Sequence, residues 1–377
     1  MLIDLDVQRP PSPQPRPRVP WRPVSLLLAV ALALLSGASA ARPWTPELHR
    51  VAVTDDLVES WLLTEDVLYL ADKQEDATAL ELSAVSLTGG GVLWSRLVEA
   101  EFPTLTVAGP NLAVLSEGST PLVVDAATGA VRWEYQGFGT AVPAGDGFLL
   151  SDEENLEFFD PVTARVLWSA PMPIPVVAAA TDDHHLVTLD QNNDVWVYDR
   201  GTGEVLAGNA AVIGDRLTIR DGEVFVLSDL ELIALTLPDL RRRWITAMPT
   251  PLALTGCGTL LCVGGASGLI GVDPATGEIN WRRAEWTAWI DGVAAGGDDD
   301  GLVRLDPETG EVAETLGRGF VVGDVFLRPG QGRSWVTRDG AVLGTIPQVL
   351  PFGCARAGRH LACQVDDYRV TVWRLAS

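Results

Sequence analysis

The chain has 377 residues, which by length alone allows two or three domains. It carries 27 basic against 50 acidic residues, a formal net charge of −23. That balance argues against a nucleic-acid partner, since gripping a phosphate backbone needs clustered Lys and Arg, and it fits a soluble surface that repels other acidic surfaces.

Residues 1–23 form an irregular leader rich in Pro and Arg, expected to be disordered and cytoplasmic. Residues 24–41 follow without a charge; as a helix they would reach about 27 Å, close to the hydrocarbon thickness of a bilayer. Arg16, Arg18 and Arg22 precede this segment and Arg42 follows it, so the N-terminus is expected inside and the rest exported. Trp21 and Trp44 flank it, where interfacial aromatics belong. A second reading stays open: Ala38-Ser39-Ala40 has the form of a signal-peptidase site, and cleavage near Ala40 would release a secreted protein. The long leader and the paired Trp residues favour an uncleaved single-pass anchor. Residues 42–50 read as a linker and 51–377 as one repeat domain.

That domain repeats one pattern, clearest as Asp273-Pro274-Ala275-Thr276-Gly277-Glu278-Ile279-Asn280-Trp281. Related copies place Asp125, Thr128, Gly129 and Trp133; Asp160, Thr163 and Trp168; Asp199, Thr202 and Gly203; and Asp306, Thr309 and Gly310 at the same steps. Worn copies end at Trp94 and Trp244, and Ala207 and Glu314 occupy the Trp slot in two others. The slots recur every 33 to 39 residues. Between them lie short apolar or alternating runs, such as 224–227 and 231–235 split by Ser228-Asp229, which read as strands. No helical periodicity appears beyond the N-terminal segment. A unit of about 40 residues holding four strands cannot bury its face alone and must stack in a ring, the signature of a propeller blade.

The turn has a chemical rationale. Asp at its start can accept bonds from the backbone two residues on, Thr can join it, and Gly takes a left-handed backbone. By strand alternation the Val or Ile after the turn and the Trp two residues later should point the same way, into the blade, with the indole wedged between neighbours.

This Asp-x-x-Thr-Gly-x-Val-x-Trp pattern resembles the pyrroloquinoline-quinone-type (PQQ-like, quinoprotein-like) propeller repeat over roughly residues 51–377. The resemblance implies an all-β propeller and is poor for activity. The family includes quinone-dependent dehydrogenases, and also cofactor-free outer-membrane-assembly scaffolds and extracellular sensor domains. Eight blades are expected, with the last strands sharing a blade with those before Trp94; seven is the alternative.

The four cysteines fall in two local pairs, Cys257 with Cys262 and Cys354 with Cys363, each reading as facing positions of a hairpin. An even count outside the cytoplasm favours two disulfides over a zinc site, for which the spacing is wrong and no His is near.

Other polar clusters read as ordinary turns. Asp190-Gln191-Asn192-Asn193-Asp194 starts like a calcium loop but has Val195 and Gly201 where Gly and Glu are needed. Asp298-Asp299-Asp300, the four histidines (His49, His184, His185, His360) and Arg241-Arg242-Arg243 match no catalytic or metal spacing. A quinone enzyme of this family would commonly carry vicinal cysteines, which are absent. No catalytic, cofactor or metal residue is therefore expected, and neither quinone nor calcium. The expected function is a membrane-held extracytoplasmic module that binds or scaffolds an envelope protein. The alternatives are a PQQ-dependent oxidoreductase and an extracellular ligand sensor.

Overall fold

Runs of three to nine residues rich in apolar side chains, broken by Gly, Asp, Asn and Pro, yield strands along the repeat region. A computed structural model describes residues 48–376 except 55–57, 74–78, 101, 117–119, 136–139, 152–153, 172–174, 210–211, 291, 297–300 and 366–367. The leader, the apolar segment 24–41, most of the linker and Asp298-Asp299-Asp300 lie outside the described residues. Among the described residues no helix is long and apolar enough to cross a membrane.

The described residues form 36 strands and no helix, arranged as nine four-stranded antiparallel sheets. Blades 1 to 8 are each continuous in sequence: 58–98, 104–134, 140–171, 176–209, 216–247, 251–283, 286–318 and 320–347. Blade 9 takes three strands from 349–375 and its outer strand, Leu48–Val53, from the start of the region. First strands of neighbouring blades approach one another at several junctions, and that of blade 9 meets that of blade 1, so the ring is closed.

The blade number corrects the expected eight. Five strands precede blade 2: the last four complete blade 1, and the first pairs with Val370–Leu375. Three C-terminal strands alone would leave an open edge, and Leu48–Val53 covers it. That strand begins within the expected linker.

The core sits between blades. Val187, Leu189, Val195 and Val197 of blade 4 pack on Val224, Val226, Ile233 and Leu235 of blade 5. The closing seam repeats this with Leu63, Leu68 and Leu70 of blade 1 against Ala362, Val370 and Val372 of blade 9.

A second correction concerns the outer strand. In blade 1, Val92 faces Val85 and Trp94 faces Ala84, which leaves Leu93 as an extra residue. The same register shift recurs in the outer pair of all nine blades. One extra residue reverses the alternation, so Val and Trp point to opposite sides. Val205 is 51% exposed and Ile279 39%, whereas Trp281 is 6% exposed.

Candidate functional site

The repeat turn is built by its own side chains. Asp125 Oδ1 accepts bonds from Ala127 N (3.1 Å), Thr128 N (2.9 Å) and Thr128 Oγ1 (2.9 Å), and Gly129 N donates to Asp125 O (2.8 Å). Asp199 with Gly201 and Thr202, and Asp306 with Glu308 and Thr309, repeat this set. Asp273 accepts from Ala275 N (2.7 Å), and Asp160 from Val162 N (2.9 Å) and Thr163 Oγ1 (2.6 Å). These donors favour the ionised carboxyl. The Arg132 guanidinium and the Thr128 hydroxyl hold Asp125 down to about 2, and Thr202 lowers Asp199 in the same way.

Each turn receives the Trp of the preceding blade. The indole Nε1 of Trp94 donates to Ala126 O (3.0 Å), Trp168 to Arg200 O (2.9 Å), Trp244 to Pro274 O (2.9 Å) and Trp281 to Pro307 O (2.9 Å). The ring then lies flat on the turn's glycine. A Cβ on Gly310 would sit 2.6 Å from Trp281, and Gly310 has φ 65°, so a side chain is excluded by both contact and backbone. Gly129, Gly203 and Gly277 meet Trp94, Trp168 and Trp244 alike. A third component was not anticipated. The residue two beyond the Trp grips the same glycine's carbonyl: Arg96 on Gly129, Thr246 on Gly277 (2.6 Å) and Arg283 on Gly310 (2.6 Å). Alternation past the bulge puts that residue on the Trp side, a signal present in the sequence.

The lock varies in legible ways. Ala164 replaces the glycine after Trp133 and keeps a left-handed backbone (φ 55°), and Trp133 packs on Phe159, the rings tilted with centroids 4.1 Å apart. At the next degenerate slot the sizes are inverted: Ala207 stands where Trp would, and buried Leu240 where Gly would, in one cluster. Blades 7, 8 and 9 carry Glu314, Gly344 and Ala52 in the slot.

The remaining candidates are tied into hairpins, turns and strand pairs. Cys257–Cys262 and Cys354–Cys363 are disulfides, with Cα atoms 5.6 and 4.0 Å apart, across the two inner strands of blades 6 and 9. Buried Asp190 accepts from Asn192 N (2.8 Å), Asp194 N (3.0 Å) and Trp196 Nε1 (3.2 Å), a tied polar turn. His185 Nδ1 lies 3.0 Å from the Asp182 carboxylate, while His360 is buried with Nδ1 2.8 Å from Glu65 O. Arg241 pairs with Asp239 and Arg243 with Glu223, both inside blade 5. Among the described residues no three His, Cys, Asp or Glu side chains group to hold a metal.

The two faces of the ring differ. The Asp-Thr-Gly turns and both disulfide hairpins lie on one face. The opposite face holds the loops between blades and between second and third strands; exposed apolar side chains lie beside the turns, as at Val92, Val162 and Ile290, and the loop face has its own. Phe102 (80% exposed), Leu230 (71%) and Ile213 (68%) head them, with Leu97, Leu252 and Tyr368. Phe102 (φ 47°) and Tyr368 (φ 62°) have left-handed backbones, a sparsely populated state for bulky residues. This face went unread in the sequence, although Leu230, stranded after Ser228-Asp229, was a visible sign.

Residues 78–177 and 152–288 match the family model described as outer membrane protein assembly factor BamB, together more than half of the chain. No curated protein matches the sequence. Among solved structures the chain is similar to that of BamB from Moraxella catarrhalis, at 14% identity and a TM-score of 0.50 over 87% of this chain and 100% of that one. It is likewise similar to the computationally designed Ika8 protein, at 14% identity and a TM-score of 0.54 over 86% of this chain and 99% of that one. At such identity the likeness establishes a shared fold.

Proposed function

The chain belongs to the family whose model is described as outer membrane protein assembly factor BamB, and from that premise we propose that it is a protein-binding scaffold of the cell envelope. In this reading residues 24–41 hold it at the membrane as a single-pass anchor, with the leader inside and the ring outside. Cleavage near Ala40 would give the same ring in secreted form. The partner is another envelope protein. Neither quinone nor calcium takes part.

One observation carries this reading: the loop face bears exposed aromatics, Phe102 and Tyr368, both held on left-handed backbones, with Leu230 and Ile213 also exposed there. Exposed apolar groups can mark interaction surfaces, and aromatic anchors dominate binding energy. Loops on a rigid ring suit that role.

The test is photo-crosslinking of the full chain in native membranes from probes at Phe102, Ile213 and Leu230, with Glu278 and Thr309 on the turn face as references. Adducts to one envelope protein from the first set, and none from the second, are expected. Equal labelling from both faces, or none, overturns the reading. The N-terminal sequence of the mature chain separates the anchored form from the cleaved one.

A further inference from the structure

Blade 8 has the shortest described inner strand of the ring. Phe320–Val322 has three residues, where the first strands of the other blades have five to nine. Phe320 pairs with Leu327, so Arg328 and Pro329 of the second strand run on without an inner partner. A cavity of about 810 Å³ lies at this gap, lined by residues of blades 7, 8 and 9 with Pro329 among them. Buried apolar clusters bridge blades 6 and 7 and blades 8 and 9, but among the described residues none bridges blades 7 and 8. The volume falls within the roughly 300–1,000 Å³ typical of small-ligand sites.

The walls are apolar: Val293, Ala295 and Leu302 of blade 7, Phe320 of blade 8 and Val349 of blade 9. Arg356 also lines the cavity, but its charge is already engaged: Nη1 pairs with Asp324, Nη2 donates to Gly358 O (3.1 Å), and Nε is enclosed by protein. Asp291 and Asp298-Asp299-Asp300 closely follow the lining residues Ile290 and Gly296 in sequence, so the local charge disfavours an anion. Among the described lining residues there is no carboxylate to receive a cation. Ser334 is the polar group left over. It sits opposite Ile346, a member of the cluster between blades 8 and 9, and so faces blade 9. It lines the cavity, is 2% exposed, and its hydroxyl has no hydrogen-bond partner among the described residues. A buried hydroxyl left unpaired is unfavourable, and a ligand group bonded to it removes that cost.

We propose that this cavity binds an uncharged molecule with an apolar body and one hydroxyl group. The body lies among Val293, Leu302, Phe320 and Val349, and the hydroxyl bonds to Ser334 Oγ. A serine hydroxyl both donates and accepts, so it satisfies an alcohol in either sense. A carboxylate in the same place is buried against apolar walls with one neutral donor, and an ammonium is buried without a counter-ion. Acids and amines are therefore excluded. This inference is independent of the protein-binding role of the loop face.

The test is titration calorimetry of 3-phenylpropan-1-ol into the full-length chain in lipid nanodiscs, with empty nanodiscs as the blank. Saturable binding at one site per chain is expected. The acid 3-phenylpropanoate and the amine 3-phenylpropan-1-amine should each bind about tenfold more weakly or worse. Ser334→Ala should weaken the alcohol about fivefold and leave propylbenzene, which has no hydroxyl, unchanged. Ala295→Phe, which fills the cavity from the blade 7 wall and leaves Ser334 in place, should abolish binding. Thermal unfolding of both variants shows that the ring is intact. No saturable binding, an acid or amine that binds as well as the alcohol, or an unchanged affinity for the alcohol in folded Ser334→Ala protein overturns the proposal.

Discussion

Blades 1 to 6 and blades 7 to 9 are built from the same four strands and the same bulge, yet they are held together differently. In the first sector an indole from one blade lies on a glycine of the next and hydrogen-bonds its turn at four junctions. In the second the slot holds Glu314, Gly344 and Ala52; a disulfide ties the inner strands of blade 9, and the cavity opens alongside. The difference separates fold from fastening. The four-stranded sheet and its interblade apolar layer specify the ring, and the Trp–Gly lock tightens it where present.

The largest expected break in this comparison comes from Trp281→Ala. Removing a buried indole together with its hydrogen bond should cost about 3–5 kcal/mol, whereas Glu314→Ala at the equivalent slot of blade 7 should stay within about 0.5 kcal/mol. Denaturant midpoints of the two variants check this, and equal losses would mean that the two sectors are fastened alike.

Next in size is replacement of Cys354 and Cys363 by Ser, expected to cost about 2–3 kcal/mol from the loop-closure argument. The same change at Cys257 and Cys262 should cost less, because blade 6 also has its indole lock. Thermal unfolding of both pairs gives the ranking.

Ala207→Trp sharpens the comparison from inside the locked sector. Alone it should overpack against Leu240 and cost about 1–3 kcal/mol; combined with Leu240→Gly it should recover most of that loss. A double-mutant cycle reads the coupling directly, and additivity would show that the two positions do not face each other.

The smallest effect is on pH dependence. Hydrogen bonds in the folded turns hold the carboxyls of Asp125, Asp199 and Asp306 below their ordinary values, Asp125 at about 2. A depressed folded value means that the contribution is fully present above the unfolded value near 4 and is lost as pH falls toward 2. Asp125→Asn should therefore flatten the stability curve between about pH 4 and pH 2 and leave its shape above pH 5 unchanged. Melting temperatures across that range test it.

Much of the ring was legible because the turn announces itself. Asp, Thr and Gly at fixed steps can make only a few bonds, and Asp125-Thr128-Gly129 makes them. The blade number was not legible, because Leu48–Val53 bears no repeat mark and pairs with residues at the other end of the chain. The orientation of Val and Trp was missed because a bulge is one unpaired residue, and nothing in Val92-Leu93-Trp94 distinguishes it from plain strand. The loop face and the cavity arise from side chains of different blades brought together in space. Phe102 and Leu230, or Val293 and Arg356, carry no common motif, so only the closed ring relates them.

The seam of blade 9 has a consequence for how the molecule comes into being. Val370 N donates to Thr54 Oγ1 at 3.0 Å across 316 positions of sequence, so the first and last strands of the ring meet only when nearly everything between them exists. Pairings of such separation form slowly, because the entropy of joining distant segments is lost before contacts compensate. A polypeptide cut short before Val370 would be left with blade 9 unfinished and Leu63, Leu68 and Leu70 of blade 1 bare on that side. The circle thus inspects its own integrity: a broken copy presents sticky apolar surface, the mark by which quality-control proteases select what to destroy.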